Sequence, residues 1–271
     1  MFFLSGFSDE ICDDFNEQMR VWRAMDLKHF ELRSAWGINV MQLTDDQLEE
    51  IKQIIEPINV SVACIGSPIG KSNIEDDFSF ERERLERAIV VAKYFDCKFI
   101  RIFSFYSSDG DILQKKTEVM QRLRKMAEMA AAEDIVLLHE NESNTYGELS
   151  IQSVEIAETL ASKNFGLVFD PANYSMAGED ALEAEKNMHD YINYLHIKDF
   201  SLRTKTMVFP GDGDSYIREI VEKLKGEKLM VALEPHLEIA GQFGGFTGEI
   251  KFMKTVSIFK NILDEIGIDW A

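Results

Sequence analysis

A single (β/α)8 barrel, an α/β fold, is the class that this sequence predicts, and three observations predict it. Eight short β-rich runs alternate with amphipathic, charge-rich segments, which is the pattern of parallel βαβ units. The 271 residues, 45% of them hydrophobic, suffice for one large, well-filled core. No linker, low-complexity tract or shift in composition divides the chain, so residues 1–271 read as one domain. A doubly wound open sheet is the runner-up. It would carry a glycine-rich phosphate loop after its first strand, and "SGFSDEIC" is not G-x-G-x-x-G.

The first run, "MFFLSGF" (1–7), has no basic n-region and is interrupted at once by Gly6 and Asp9, so it reads as a strand and not a signal peptide. "HFELRSA" (29–35) is the second strand, and "DDQLEEIKQIIEPI" (45–58) follows it with apolar residues at helical spacing. "NVSVACIG" (59–66) and "KFIRIFSFY" (98–106) are strands three and four, separated by the helical "FERERLERAIVVAKYF" (80–95). A helix over "TEVMQRLRKMAEMAAAE" (117–133) leads into strand five, "DIVLLHEN" (134–141). "IQSVEIAETLAS" (151–162) is helical, and "FGLVFD" (165–170) and "YINYLHIKD" (191–199) are strands six and seven. "PGDGDSYI" (210–217) predicts a loop closing onto the next helix, with Asp214 or Ser215 as its N-cap. "KLMVALEPH" (228–236) is strand eight, and "EIKFMKTVSIFKNILDEIG" (249–267) is a final helix.

The 48 acids outnumber the 29 bases, for a net charge of −19. Such a surface repels phosphate backbones and argues against a nucleic-acid partner. The acids are spread along the chain, as on solvated helix faces. Apolar runs are strand-sized, so no membrane span is expected. Cys12, Cys64 and Cys97 are odd in number and lack metal-type spacing, which points to reduced thiols in a cytoplasmic protein.

In such a barrel the chemistry sits at the C-terminal ends of the strands. Strands five to eight end in Glu140, Asp170, His196 and Glu234, each about one βαβ repeat from the last. Three carboxylates and an imidazole at one mouth would repel one another without a cation. Together they offer the hard oxygen and nitrogen donors suited to one Mn²⁺, Mg²⁺ or Co²⁺, with Zn²⁺ the softer alternative. The competing reading is that each acid caps the next helix or pairs with a nearby base. By strand alternation Glu142, Lys198 and His236 share the inward parity of Glu140, His196 and Glu234, which makes them candidate substrate-facing residues.

The earlier strand ends carry Asp9 and Glu10, Glu31 and Arg33, Ser67 and Lys71, and Arg101 with Phe103 and Tyr106. Arg33, Lys71, Arg101 and Lys198 either line a site for a phosphate or carboxylate, or form ion pairs inside the barrel such as Glu31 with Arg101. Trp36 either covers an apolar sugar face or anchors its loop. Phe103 and Phe105 read as core or pocket wall, and His29 and His189 as surface or packing residues.

Four motifs stand in register: E-N at 140–141, F-D-P-A-N at 169–173, H-I-K-D at 196–199 and L-E-P-H at 233–236. Together they resemble the xylose-isomerase-like TIM barrels, over essentially the whole chain. That superfamily includes sugar-phosphate isomerases and epimerases, hydroxypyruvate isomerase, inosose dehydratase and endonuclease IV. The resemblance implies that Glu140, Asp170, His196 and Glu234 bind one divalent ion, with Glu140 and Glu234 also serving as acid and base. It implies proton abstraction next to a chelated carbonyl, giving an enediolate that is reprotonated to an epimer or an isomer. The chain departs from the epimerase branch at Asn173, where a substrate-contacting histidine stands, and an amide cannot shuttle a proton.

The sequence therefore predicts a metal-dependent isomerase or epimerase of a small sugar, sugar phosphate or related polyol ketone, with a homodimer as the assembly common in the superfamily. An inosose-type dehydratase uses the same machinery for β-elimination. A barrel that binds a metabolite without turning it over is the non-enzymatic alternative. DNA repair of the endonuclease IV type needs more histidines than His139, His196 and His236 supply.

Overall fold

All eight predicted runs form strands in a computed structural model that describes residues 1–160, 162–241 and 244–271. They are β1 (Phe2–Gly6), β2 (His29–Leu32), β3 (Ser61–Ile65), β4 (Phe99–Ile102), β5 (Val136–Glu140), β6 (Phe165–Phe169), β7 (Ile192–Ile197) and β8 (Leu229–Leu233). They lie in one sheet in the order β1–β8–β7–β6–β5–β4–β3–β2, each hydrogen-bonded pair parallel. A parallel bridge between Phe7 and Glu31 joins the first and last strands of that order, giving a nearly closed (β/α)8 barrel. Farther down that seam, residues 269–271 run beside β1: Phe2 and Leu4 N–H donate to the carbonyls of Asp269 and Ala271.

The helices between the strands are α1 (Phe15–Ala24), α2 (Asp45–Ile55), α3 (Phe78–Tyr94), α4 (Lys116–Ala132), α5 (Ser150–Leu160), α6 (Pro171–Met176), α7 (Ala181–Met188), α8 (Ile217–Lys223) and α9 (Glu249–Ile266). Ala161, inside the predicted 151–162 segment, lies outside the described residues. Local chemistry sets several starts: Asp14 caps α1, Asp77 caps α3, and Thr44 and Gln47 form a reciprocal capping box on α2. Among the described residues no helix is long and apolar enough to cross a membrane.

The predicted cap of α8 is corrected. α8 starts after Tyr216, which is left-handed (φ 56°) and makes no side-chain cap bond. Asp214 instead accepts from Leu202 N (2.7 Å), and the Ser215 hydroxyl accepts from Phe200 N (3.1 Å). The backbone N–H groups of Gly211, Gly213 and Ser215 converge on the Asp199 carboxylate at 2.8–3.1 Å. Gly213 must be glycine there, since a Cβ would stand 2.2 Å from an Asp199 oxygen.

Across the barrel axis Cys64, Leu138, Val168, Tyr194 and Ala232 form one buried apolar layer. Strand side chains alternate, so the residues two positions on share its inward direction. On the last four strands these are Glu140, Asp170, His196 and Glu234. The apolar layer thus floors the polar one.

Candidate metal and acid–base centre

Glu140, Asp170, His196 and Glu234 each present a donor atom, and these atoms all lie within 4.8 Å of one another. All four residues are buried. Asp170 resolves two readings that seemed exclusive. Its Oδ1 accepts from Ala172 and Asn173 N and caps α6 (3.0 and 3.1 Å), while Oδ2 faces the centre. Cap and centre use different oxygens of one carboxylate.

His196 stands between three carboxylates. Its Nδ1 lies 3.0 Å from Glu140 Oε1 and 3.4 Å from Glu234 Oε2, and its Nε2 faces Glu31 Oε1 at 3.4 Å. Nδ1 is therefore the nitrogen on the side of the other donors, and Glu31 holds the far one. The expected Glu31–Arg101 pair is replaced by this contact. Phe7 packs edge-on against the imidazole, with ring centroids 5.4 Å apart, and carries the Arg33 and Arg101 guanidiniums over its ring.

The barrel bases pair with the centre's own acids. Lys198 Nζ sits 2.8 Å from Asp170 and 3.3 Å from Glu234. Arg33 binds Asp9 through two nitrogens (2.8 and 3.0 Å) and reaches Glu234 at 3.1 Å. Arg101 Nη1 lies 3.2 Å from Glu140 Oε2, an ion pair without hydrogen-bond geometry, and Arg101 Nε has no partner. Six buried carboxyl groups (Asp9, Glu10, Glu31, Glu140, Asp170 and Glu234) thus face three permanent cations. The carboxyl groups outnumber these cations two to one in a region of low dielectric, where uncompensated charge is costly.

The titration shifts follow this imbalance. Burial opposes charge on Glu140, yet His196 and Arg101 outweigh it and hold the carboxyl at about 2. Glu234 is likewise buried but is held well below the usual carboxylate range by Lys198 and His236. Asp170 goes the other way: burial lifts it to about 6 despite Lys198. Burial should depress the imidazole of His196, but Glu140 and Glu31 keep it well above its ordinary value. The carboxylates around His196 thus favour positive charge at the centre.

The remaining predicted residues divide. Glu142 and Lys71 form a partly exposed ion pair at 2.5 Å at the mouth, with Lys71 over the Phe103 ring. Asn173 is buried, and its amide donates to the Asn141 carbonyl at 2.8 Å, so it braces the ends of β5 and β6. His236 Nε2 faces Glu234 (3.2 Å) and Glu10 (3.4 Å), and Glu10 also binds His236 N and the Thr247 hydroxyl. Trp36 packs on Phe15 as a loop anchor, and His29 and His189 lie away from the centre. His139 has the opposite parity to Glu140 and is buried, which pushes it down to about 4. The sequence had flagged Glu10, Glu31 and Asp9 as polar strand ends without finding their partners; Phe7 carried no signal at all.

The donor set suits a divalent ion. Metal–oxygen and metal–nitrogen bonds of about 2.0–2.6 Å place opposed donors about 4–5 Å apart. Glu140 Oε2 and Asp170 Oδ2 are buried without a hydrogen bond, and Lys198 already places one cation against two of the acids.

Comparison with known proteins agrees with this architecture. The chain is 21% identical over 184 residues to 3-dehydroshikimate dehydratase of Bacillus anthracis, a match covering 66% of this chain and 65% of that protein. The chain thus spans just under two thirds of that relative's length. Among solved structures it resembles the probable 3-DHS dehydratase from Bacillus anthracis involved in petrobactin synthesis (TM-score 0.76, 18% identity, 96% of this chain and 99% of that one). It also resembles a D-tagatose 3-epimerase-like protein (TM-score 0.75, 16% identity, 97% and 98%). At these identities the likeness shows the fold alone. The sequence profile of the xylose isomerase-like TIM barrel matches residues 20–256. With four donors at the ends of β5 to β8 of a (β/α)8 barrel, the chain belongs to the xylose isomerase-like TIM barrel family.

Proposed function

We propose that the protein is a divalent-metal-dependent isomerase or epimerase of a small sugar, sugar phosphate or related polyol ketone. The observation that carries this is the pair Glu140 and Glu234, which approach the same imidazole nitrogen of His196 from different strands. Glu140, Asp170, His196 and Glu234 would hold Mn²⁺, Mg²⁺ or Co²⁺, with Zn²⁺ the softer alternative. Such an ion, when bound, polarises a chelated carbonyl and acidifies the proton on the adjacent carbon.

The chain's own groups do the rest. Either Glu140 or Glu234, both held ionised, takes the carbon-bound proton. Once protonated it can give that proton back, whereas delivery from the other glutamate requires that carboxylate first to take up a proton from water. Return to the same carbon on the opposite face gives an epimer; return to the neighbouring carbon gives the aldose–ketose isomer. Lys198 lies beside Glu234 and is placed to donate to a substrate oxygen. Arg101 helps keep Glu140 charged and Lys198 helps keep Glu234 charged, and His236, Glu142 and Lys71 border the approach.

A second reading is dehydration, favoured by the similarity to 3-dehydroshikimate dehydratase and by the engagement of Asn173 with the backbone instead of with the mouth. There a C–H and a C–O bond break, a C=C bond forms, and water leaves. Metal content and product mass decide. About one Mn, Co, Mg or Zn per chain, lost in Glu140→Gln/Asp170→Asn, with turnover of a ketose at constant mass, supports isomerisation. A loss of 18 Da per turnover supports dehydration. No metal after reconstitution leaves a metabolite-binding barrel.

A further inference from the structure

The loops that follow β4 and β5 enclose a cavity of about 450 Å³ that plays no part in the chemistry above. Its volume falls within the range of small-ligand sites, about 300–1,000 Å³. Tyr106, Leu113 and Tyr146 supply apolar wall; Asp111, Asn144 and Gln152 supply hydrogen-bonding groups. No Lys or Arg lines it, so nothing there would neutralise a phosphate or carboxylate. A wall of ring carbon with amide and carboxylate acceptors matches a pyranose, which has C–H faces and a rim of hydroxyls.

The loop after β5 links the cavity to the centre along the chain. The loop that leaves β5 carries Glu140, then Glu142, then Asn144, so Asn144 lies within about 15 Å of Glu140 along the chain. Burial raises the Tyr106 phenol in the cavity wall, and the charge of Glu142 adds to that shift. Leu113 and Asn144 are exposed, so the cavity opens to solvent.

We propose that this cavity is a second sugar subsite, holding the neutral glycosyl group of a glycosyl-extended ketose whose ketose end lies at the centre. The assignment of the ketose end rests on the function proposed above. The glycosyl assignment rests on the cavity alone, and the test separates them.

The experiment is calorimetric titration of the full chain with D-fructose, palatinose, lactulose and methyl β-D-glucoside. It compares wild type, Leu113→Trp, Gln152→Ala and Asp170→Asn. Leu113 is 56% exposed, so tryptophan there fills the cavity without disturbing the core. The expected result is at least tenfold tighter binding of one glycosyl-ketose than of D-fructose. Leu113→Trp abolishes that gain and Gln152→Ala weakens it, while both leave D-fructose affinity unchanged. Methyl β-D-glucoside binds wild type and Asp170→Asn equally and is lost in Leu113→Trp. Should D-fructose fail to bind any form, the reading of the centre falls, and methyl β-D-glucoside alone decides the cavity. Absence of binding by every glycoside, or a gain retained in both cavity variants, overturns the subsite.

Discussion

Glu31 holds the imidazole of His196 from behind: its carboxylate lies 3.4 Å from Nε2, on the side of the ring away from Glu140 and Glu234. Both oxygens of Glu31 are buried and make no hydrogen bond, so the contact is electrostatic and close to its full strength. Glu31→Gln keeps the shape and removes the charge. Orienting partners of metal-bound histidines are worth about 10–100-fold in affinity. Titration with Mn²⁺ should show a loss of that size in Glu31→Gln, and unchanged affinity would mean that Glu31 does not act on the metal.

Lys198 should behave as an internal competitor for the cation. Lys198→Met removes the ammonium that faces Asp170 and Glu234 and leaves both acids short of a partner. Without added metal the variant should lose about 3 kcal/mol in urea denaturation, in line with breaking one side of a buried pair. Added Mn²⁺ should raise its melting temperature by more than it raises that of wild type. An equal rise in both would show that the ammonium and the ion do not share the site.

The loop at 210–215 is pinned by one carboxylate. Asp199→Ala strands the N–H groups of Gly211, Gly213 and Ser215, and a cost of about 3 kcal/mol is expected in the denaturation midpoint. Asp199→Asn keeps an acceptor and should cost about half as much. Identical stabilities for the two variants would refute the role given to the charge.

Thiol reactivity should report burial. Burial pushes Cys97 up to about 12, and burial together with Glu31 pushes Cys64 well above its ordinary value. Cys12 is only half-buried, and that burial raises its thiol. Native protein at pH 8 should react with Ellman's reagent at one thiol, and the other two should react only in denaturant.

The strands were legible because each apolar run is bounded by polar loops and because the parallel barrel buries both faces. Glu140, Asp170, His196 and Glu234 were legible for a related reason: period-two alternation sets them one step above Leu138, Val168, Tyr194 and Ala232, at similar chain intervals. What escaped depends on distances across the barrel. Glu31 meets His196 on a non-adjacent strand and not Arg101, a contact across the barrel interior that no local pattern encodes. Asp214 and Ser215 looked like caps because of local composition, but Asp199 on the preceding segment captures the loop's amides first. The backbone partner of Asn173 was not legible either: its amide donates to the Asn141 carbonyl on the neighbouring strand end. Glu10 gave no hint that it would hold His236 and Thr247, which are more than two hundred residues away.

The seam between β1 and β2 has consequences for how the molecule assembles. At the mouth it is joined by the single Phe7–Glu31 bridge, and lower down β1 pairs with residues 269–271. A ribosome must therefore deliver residue 271 before β1 has its second neighbour at Phe2 and Leu4. Until then the earliest strand carries an unpaired edge, an opening for pairing with other chains. Residues 269–271 cover the lower edge of β1, and the Phe7–Glu31 bridge alone joins β1 to β2 at the mouth.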